Sequence, residues 1–144
     1  MSERIIFVCP HGAAKSVLAA AYCQQLAEQW SVPLHATSAG TEPDAEVAPT
    51  IVALLRAEGI DVADQRPWRL TSEELAMARR IISLGCDLGQ LARPGMLIEH
   101  WDDVPPPSQD LLGARDRIRD HVEQLVLALK QAERGAPDTA RGAD

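Results

Sequence analysis

Residues 4–16 read RIIFVCPHGAAKS and contain a complete turn from a strand into a helix. The apolar, largely β-branched run of residues 4–9 is bounded by Pro10 and Gly12, which is typical of a strand buried on both faces of a parallel sheet. From Ser16 to about residue 30, apolar residues recur at helical spacing among good helix formers. The chain therefore passes from strand to helix through one short loop of small residues.

The same alternation continues along the chain. A parallel sheet with helices on both faces follows from it, and the loops at the carboxyl ends of the strands form the binding edge of such a sheet. The predicted elements are a strand at 34–38, a turn at 39–43, a helix at 47–58 ended by Gly59, a helix capped by Thr71 that runs to about 78, strands at 81–84 and 96–99, irregular chain at 101–109 and a helix at 111–132.

Size and charge limit the classes of protein that fit. The 144 residues, at 15.6 kDa, suit one domain, assigned to residues 1–133, with a flexible tail at 134–144. A formal charge of -7 excludes nucleic acid as an expected partner. No apolar run reaches the roughly 20 residues that span a bilayer, and no secretory signal is recognisable, so we expect a cytoplasmic protein without a membrane partner. The oligomeric state stays open.

The loop between the first strand and the first helix has the composition of an oxyanion cradle. Backbone amides at a helix N-terminus bind tetrahedral anions, and the same field stabilises a thiolate over a thiol. Cys9 is the expected nucleophile, Ser16 a hydrogen-bond donor to its sulfur and Lys15 a charge against the anion. The remaining loop residues are expected to bind the oxyanion: His11, Gly12, Ala13 and Ala14. The alternative is that Cys9 is a small buried hydrophobe at a strand end.

Several separated motifs give the chain a resemblance to a known family. It resembles the low-molecular-weight protein tyrosine phosphatases and the thioredoxin-coupled arsenate reductases that share their fold, over residues 3 to about 130. The motifs are Phe7-Val8-Cys9 followed by five residues and Lys15-Ser16, then residues 37–43, Pro49 before a helix, residues 58–61, residues 82–86 and His100-Trp101-Asp102. The resemblance implies a three-layer α/β fold with a four-stranded parallel sheet, a covalent cysteinyl intermediate, and no metal or other cofactor.

Three positions depart from the family pattern. The Arg that closes the family's loop is Lys15 here, and one ammonium cannot reproduce the bidentate grip of a guanidinium. The loop Asn falls at Gly12, which keeps a positive φ accessible but loses the bracing side chain. The general-acid Asp falls at Pro106, which cannot donate a proton. Asp102, Asp103 or Asp110 would have to replace it, and the alternative for each is a solvated loop carboxylate.

His11 and Cys86 resemble features of the arsenate-reductase branch, in which loops of the form Cys-x-His occur and a second cysteine follows the third strand. The thioredoxin-coupled relay uses a third cysteine, and no Cys follows Cys86, so an external thiol would have to act as reductant. Cys23 lies in mid-helix and is expected in the core. A metal site built from Cys9, His11 and Cys86, with His100 as fourth ligand, is a further alternative.

Three functions are compatible with these residues. The first is an enzyme of low activity, a phosphatase or an arsenate reductase, in which Cys9 attacks a phosphorylated substrate or a small oxyanion. The second is a pseudoenzyme that keeps the fold for oxyanion sensing or protein binding, since both the Arg and the Asp of the family are missing. The third is a structural α/β protein with an inert loop.

Overall fold

A computed structural model describes residues 3–86, 88–91 and 95–142 of the chain. It contains one four-stranded sheet with the strand order β2-β1-β3-β4, in which all neighbours are parallel. The elements are β1 (Glu3–Cys9), α1 (Lys15–Gln29), β2 (Leu34–Gly40), α2 (Pro49–Ala57), α3 (Ser72–Met77), β3 (Arg80–Ser83), a 3-10 turn (Gly89–Leu91), β4 (Ile98–His100) and α4 (Leu111–Gly142). The predicted α/β fold with a four-stranded parallel sheet between helices is confirmed.

The central strand β1 is buried on both faces, as its continuous apolar run predicts. Its alternate residues Ile5 and Phe7 enter a core shared with α1, α2 and α4. Ile6 and Val8 point the other way, into a smaller core against α3 and the segment before it. This period of two explains why one short strand needs no polar residue between Ile5 and Val8.

Most predicted elements are present, with differences at their ends. The hydroxyl of Thr71 accepts a hydrogen bond from the Glu74 amide at 3.1 Å, which confirms the predicted cap of α3. The second helix begins at Pro49 rather than at 47, because proline is favoured in the first helical turn, where its missing N–H costs no hydrogen bond. Strand β2 continues through Gly40, so the predicted turn begins after that residue.

The last helix is longer than its apolar pattern predicts. It begins at Leu111 as expected but continues past 132 to Gly142, so most of the predicted tail of residues 134–144 has helical backbone. Residues 143 and 144 lie outside the described part of the chain. The division into a domain of residues 1–133 and a flexible tail stays a prediction. In the described part of the chain, no helix is both long and apolar enough to cross a membrane.

The strand register brings the chemistry-bearing residues to one edge. Cys9 is paired with Gly40 at the end of β2, and Val8 with Ser83 at the end of β3. Ser83 in turn is paired with His100 at the end of β4. Because the sheet is parallel, all four carboxyl ends meet at this edge, with Cys9 on a central strand.

Candidate active site

Cys9 lies at the end of β1, directly beneath the first turn of α1. Its side chain is buried, and its Sγ lies 3.0 Å from the hydroxyl of Ser16. The Ser16 amide donates a second hydrogen bond to the same sulfur at 3.4 Å. Ser16 is itself completely buried, so its hydroxyl has no access to competing water. The contact expected of Ser16 is therefore present, and Ser16 approaches the sulfur with both its amide and its hydroxyl.

The loop after Cys9 is held from outside by its carbonyl groups. Three amides of the segment 42–48 donate to them: Glu42 to Pro10 at 2.7 Å, Asp44 to His11 at 2.9 Å and Ala48 to Ala13 at 3.0 Å. In a planar trans peptide the N–H points opposite to the C=O, so the amides of His11, Gly12 and Ala14 point away from this segment, toward the inside of the loop. Within the described residues, none of these three amides donates to a backbone carbonyl. That His11, Gly12, Ala13 and Ala14 bind an oxyanion stays a prediction.

Gly12 allows the loop to pack against the sheet. Its φ is +61°, in the left-handed region, as expected for a glycine in the place of the family's Asn. A Cβ at this position would lie 2.9 Å from the Gly40 amide nitrogen, and a Cβ at Gly40 would lie 2.8 Å from the Gly12 nitrogen. The two backbones touch, so both positions require glycine. In the sequence, this contact of Gly40 is indicated only by the small residues at the end of β2.

Lys15 is half-buried at the start of α1, and its ammonium lies beside the turn after β3. A Cβ at Gly85, whose φ is +76°, would be 3.1 Å from the Lys15 Nζ. Because Gly85 has no Cβ, the Lys15 ammonium fits between the start of α1 and the turn after β3. That Lys15 contacts a bound anion stays a prediction.

Cys86 and Cys23 have different environments. The Cys86 Sγ lies 3.4 Å from the Ser83 hydroxyl and 3.8 Å from the carbonyl oxygen of Val8, the residue before Cys9. Cys86 therefore belongs to the same strand edge as the candidate nucleophile. Cys23 is fully buried in α1, as expected, and burial raises the pKa of its thiol to about 12.

The imidazole of His11 lies on the rim of the loop. Its Nδ1 is 3.3 Å from Oδ1 of Asp44, and the Asp44 amide donates to the His11 carbonyl at 2.9 Å. The backbone carbonyl of His11 and its ring thus both contact the segment that supports the loop. Nothing in the local sequence marks Asp44, because its relation to His11 depends on how residues 42–48 fold back.

The candidate acids after β4 have different partners. Asp103 Oδ1 lies 2.8 Å from His121 Nε2, and this hydrogen bond, with the nearby Arg117, holds the pKa of the Asp103 carboxyl below its usual range. A carboxyl kept ionised in this way is a poor proton donor. Asp110 accepts a hydrogen bond from the Gly113 amide at 2.9 Å and caps α4. Pro106 has no proton to give, and Asp102 is an exposed loop carboxylate.

Trp68 is half-buried and packs against the core on the α3 side of the sheet. Over the residues that the structure describes, no group of three His, Cys, Asp or Glu side chains is placed to hold a metal ion. The alternative metal site of Cys9, His11 and Cys86 with His100 is therefore not formed.

Comparison with known proteins agrees with this geometry. The family model described as "Low molecular weight phosphotyrosine protein phosphatase" matches residues 4–134. A protein of Halobacterium salinarum named as a putative arsenate reductase is 26% identical over 125 residues, which cover 85% of this chain and 87% of that protein.

Two solved structures share the fold. YfkJ from Bacillus subtilis superposes with a TM-score of 0.81 at 20% identity, covering 91% of this chain and 96% of that one. A thioredoxin-dependent arsenate reductase of Corynebacterium glutamicum gives a TM-score of 0.75 at 22% identity. That match covers 91% of this chain but only 63% of the reductase.

Proposed function

This chain belongs to the low-molecular-weight phosphotyrosine protein phosphatase family, and we propose from this membership that it is an enzyme whose Cys9 attacks the phosphorus of a phosphate monoester. One observation carries the proposal. The Cys9 sulfur accepts from the Ser16 amide at 3.4 Å and lies 3.0 Å from the Ser16 hydroxyl, beneath a loop whose carbonyls are bonded outward and whose amides point inward. A nucleophile and an oxyanion cradle thus share one loop.

The reaction has two steps. The Cys9 thiolate forms a bond to phosphorus while the bond to the leaving oxygen breaks, and the leaving oxygen takes up a proton. Water then attacks phosphorus, the bond from sulfur to phosphorus breaks, and phosphate leaves with the thiolate restored. The loop amides stabilise the equatorial oxygens in both steps, and Lys15 adds one positive charge. Because an ammonium lacks the planar fork of a guanidinium, we expect slower turnover than an Arg in this place would support.

Hydrolysis of p-nitrophenyl phosphate tests the proposal. The wild type should release p-nitrophenol above the buffer rate, Cys9→Ser should abolish the release, and Cys23→Ala, at a buried cysteine away from the loop, should retain it. Lys15→Ala should weaken stabilisation by inorganic phosphate in a thermal unfolding assay, while the matched Lys130→Ala should not. Equal hydrolysis by wild type and Cys9→Ser would overturn the proposal. Phosphate stabilisation without turnover would instead support the pseudoenzyme alternative.

The position of Cys86 favours arsenate reduction as a second candidate. Its thiol contacts the Val8 carbonyl, one peptide from the nucleophile. Cys9 would displace water from arsenate to form a bond from sulfur to arsenic. A second thiol, from Cys86 or from a small external thiol, would then attack the Cys9 sulfur. The two sulfurs are oxidised to a disulfide, arsenic is reduced from As(V) to As(III), and arsenite leaves.

Arsenite formation in the presence of a small thiol reductant tests this candidate. If Cys86 provides the second sulfur, Cys86→Ser should lose the activity while Cys23→Ala keeps it. If an external thiol attacks directly, Cys86→Ser should remain active and Cys9→Ser should not. Absence of arsenite with the wild type at any thiol concentration would rule the reaction out.

A further inference from the structure

Among the described residues after β4, no carboxyl group has an environment that keeps a proton ready for the leaving group. Pro106 stands where the family's acid falls, Asp103 is held ionised by His121, and Asp110 caps the last helix. Asp102 is an exposed carboxylate on the loop after β4. A reaction that expels an unactivated alcohol or phenol nevertheless needs a proton at the leaving oxygen.

A different proton-bearing group stands on the nucleophile's own loop. His11 follows Cys9 by two residues, and its ring Nδ1 lies 3.3 Å from the carboxylate of Asp44. The backbones of the same two residues are joined by a 2.9 Å hydrogen bond, so the pair is held at two points. The His11 side chain is 63% exposed, and therefore faces the solvent from which a substrate enters.

The pairing leaves one ring nitrogen for chemistry. The Asp44 carboxylate lies 3.3 Å from Nδ1 and restrains the orientation of the ring, so Nε2 is the ring nitrogen that can present a proton to a leaving group. The backbone N–H groups of His11 and Gly12 point toward the inside of the loop, next to this side chain. The His11 role requires that the leaving group of a bound phosphate leaves the cradle past this residue.

We propose that His11, oriented by Asp44, is the general acid of the reaction and replaces the acid that Pro106 removes from the loop after β4. This rests on the proposed phosphatase function. As Cys9 bonds to phosphorus, the proton on His11 Nε2 moves to the leaving oxygen while the bond from phosphorus to that oxygen breaks, and His11 becomes neutral. In the second step, neutral His11 takes a proton from the attacking water, which restores both groups. Asp44 acts as a positioning residue.

The dependence of rate on the leaving group measures this role. A p-nitrophenolate leaves with little help, whereas a phenolate needs protonation. His11→Ala should therefore lower kcat/KM on phenyl phosphate by about 10²-fold or more, but by less than about 5-fold on p-nitrophenyl phosphate. His11→Gln, which keeps a hydrogen-bond donor for Asp44 but carries no transferable proton, should behave like His11→Ala. Asp44→Asn should shift the ratio of the two rates in the same direction by a smaller factor.

His35→Ala is the matched control, since His35 is an exposed histidine on β2 outside the loop, and it should leave both rates unchanged. Asp102→Asn tests the rival donor. If Asp102→Asn changes the ratio of the two rates and the His11 variants do not, the assignment of His11 is wrong. If the wild type hydrolyses neither ester, the phosphatase function and the role of His11 fail together. Hydrolysis with a ratio unchanged in the His11 variants refutes the His11 role alone.

Discussion

Replacing Gly12 by alanine tests the contact between the loop and the sheet. The residue has a φ of +61°, and an added Cβ would lie 2.9 Å from the Gly40 nitrogen and 3.1 Å from the carbonyl carbon of Ala39. A left-handed conformation costs a non-glycine residue roughly 1–2 kcal/mol. Forcing extra volume into a packed site typically costs about 1–3 kcal/mol. The two effects together predict a loss of about 2–5 kcal/mol of unfolding free energy for Gly12→Ala.

Two other glycines separate these effects. Gly59, at the end of α2, has a φ of +84° and no atom within 4 Å of an added Cβ, so Gly59→Ala carries only the conformational cost. Gly40 lies in β2 outside the left-handed region, and its Cβ would lie 2.8 Å from the Gly12 nitrogen, so Gly40→Ala carries only the steric cost. If both contributions act at Gly12, its loss should be close to the sum of the other two.

Urea unfolding of the three variants measures the losses, and the same titrations with inorganic phosphate report on the cradle. Gly59→Ala should keep the stabilisation that phosphate gives the wild type, whereas Gly12→Ala should lose it, because a shifted loop no longer aims its amides at the anion. A displacement of about 1 Å would also lower turnover on the order of 10²-fold. If Gly12→Ala unfolds like Gly59→Ala and still responds to phosphate, the loop is not set by its contact with Gly40.

Three further outcomes follow from side chains outside the loop. Burial raises the pKa of the Cys23 thiol to about 12, so Cys23 should resist iodoacetamide at pH 8 in the folded protein and react after unfolding in denaturant. Labelling of Cys23 in the native state would contradict its burial. Because the pKa of Asp103 is lowered in the folded protein, its ionised carboxylate stabilises the fold at pH values above 3.8, the ordinary carboxyl pKa. This stabilisation is lost as the pH falls through the lower pKa of the folded state. The difference in thermal midpoint between wild type and Asp103→Asn should therefore shrink on acidification. A gap that does not change with pH would argue against the bond between Asp103 and His121. Tyr22 donates a hydrogen bond to Glu58 inside the helical layer, and Tyr22→Phe should lower the unfolding free energy by about 1–3 kcal/mol, while an unchanged urea midpoint would mean that this bond adds nothing.

Local sequence patterns were sufficient to predict the helices and strands and the loop between β1 and α1. The apolar run before Cys9, the helical spacing after Ser16 and the cap at Thr71 each depend on neighbours a few residues away, and each element is present. The end of α4 was not predictable, because its apolar stripe stops near residue 132 while the helical backbone continues to Gly142. A hydrophobic pattern reports the part of a helix that packs on the core, not the length of the helix.

What the amino-acid order alone determines is therefore the passage from β1 through a loop of small residues into α1, together with Cys9 and Ser16 at its two ends. The partners of that loop were decided by the tertiary structure: Gly40 behind Gly12, Asp44 beside His11, and Gly85 under Lys15. Periodicity encodes which side of an element is buried, but it does not encode which distant residue lies opposite. That choice depends on strand register and on how segment 42–48 packs, and both exist only once the sheet has formed.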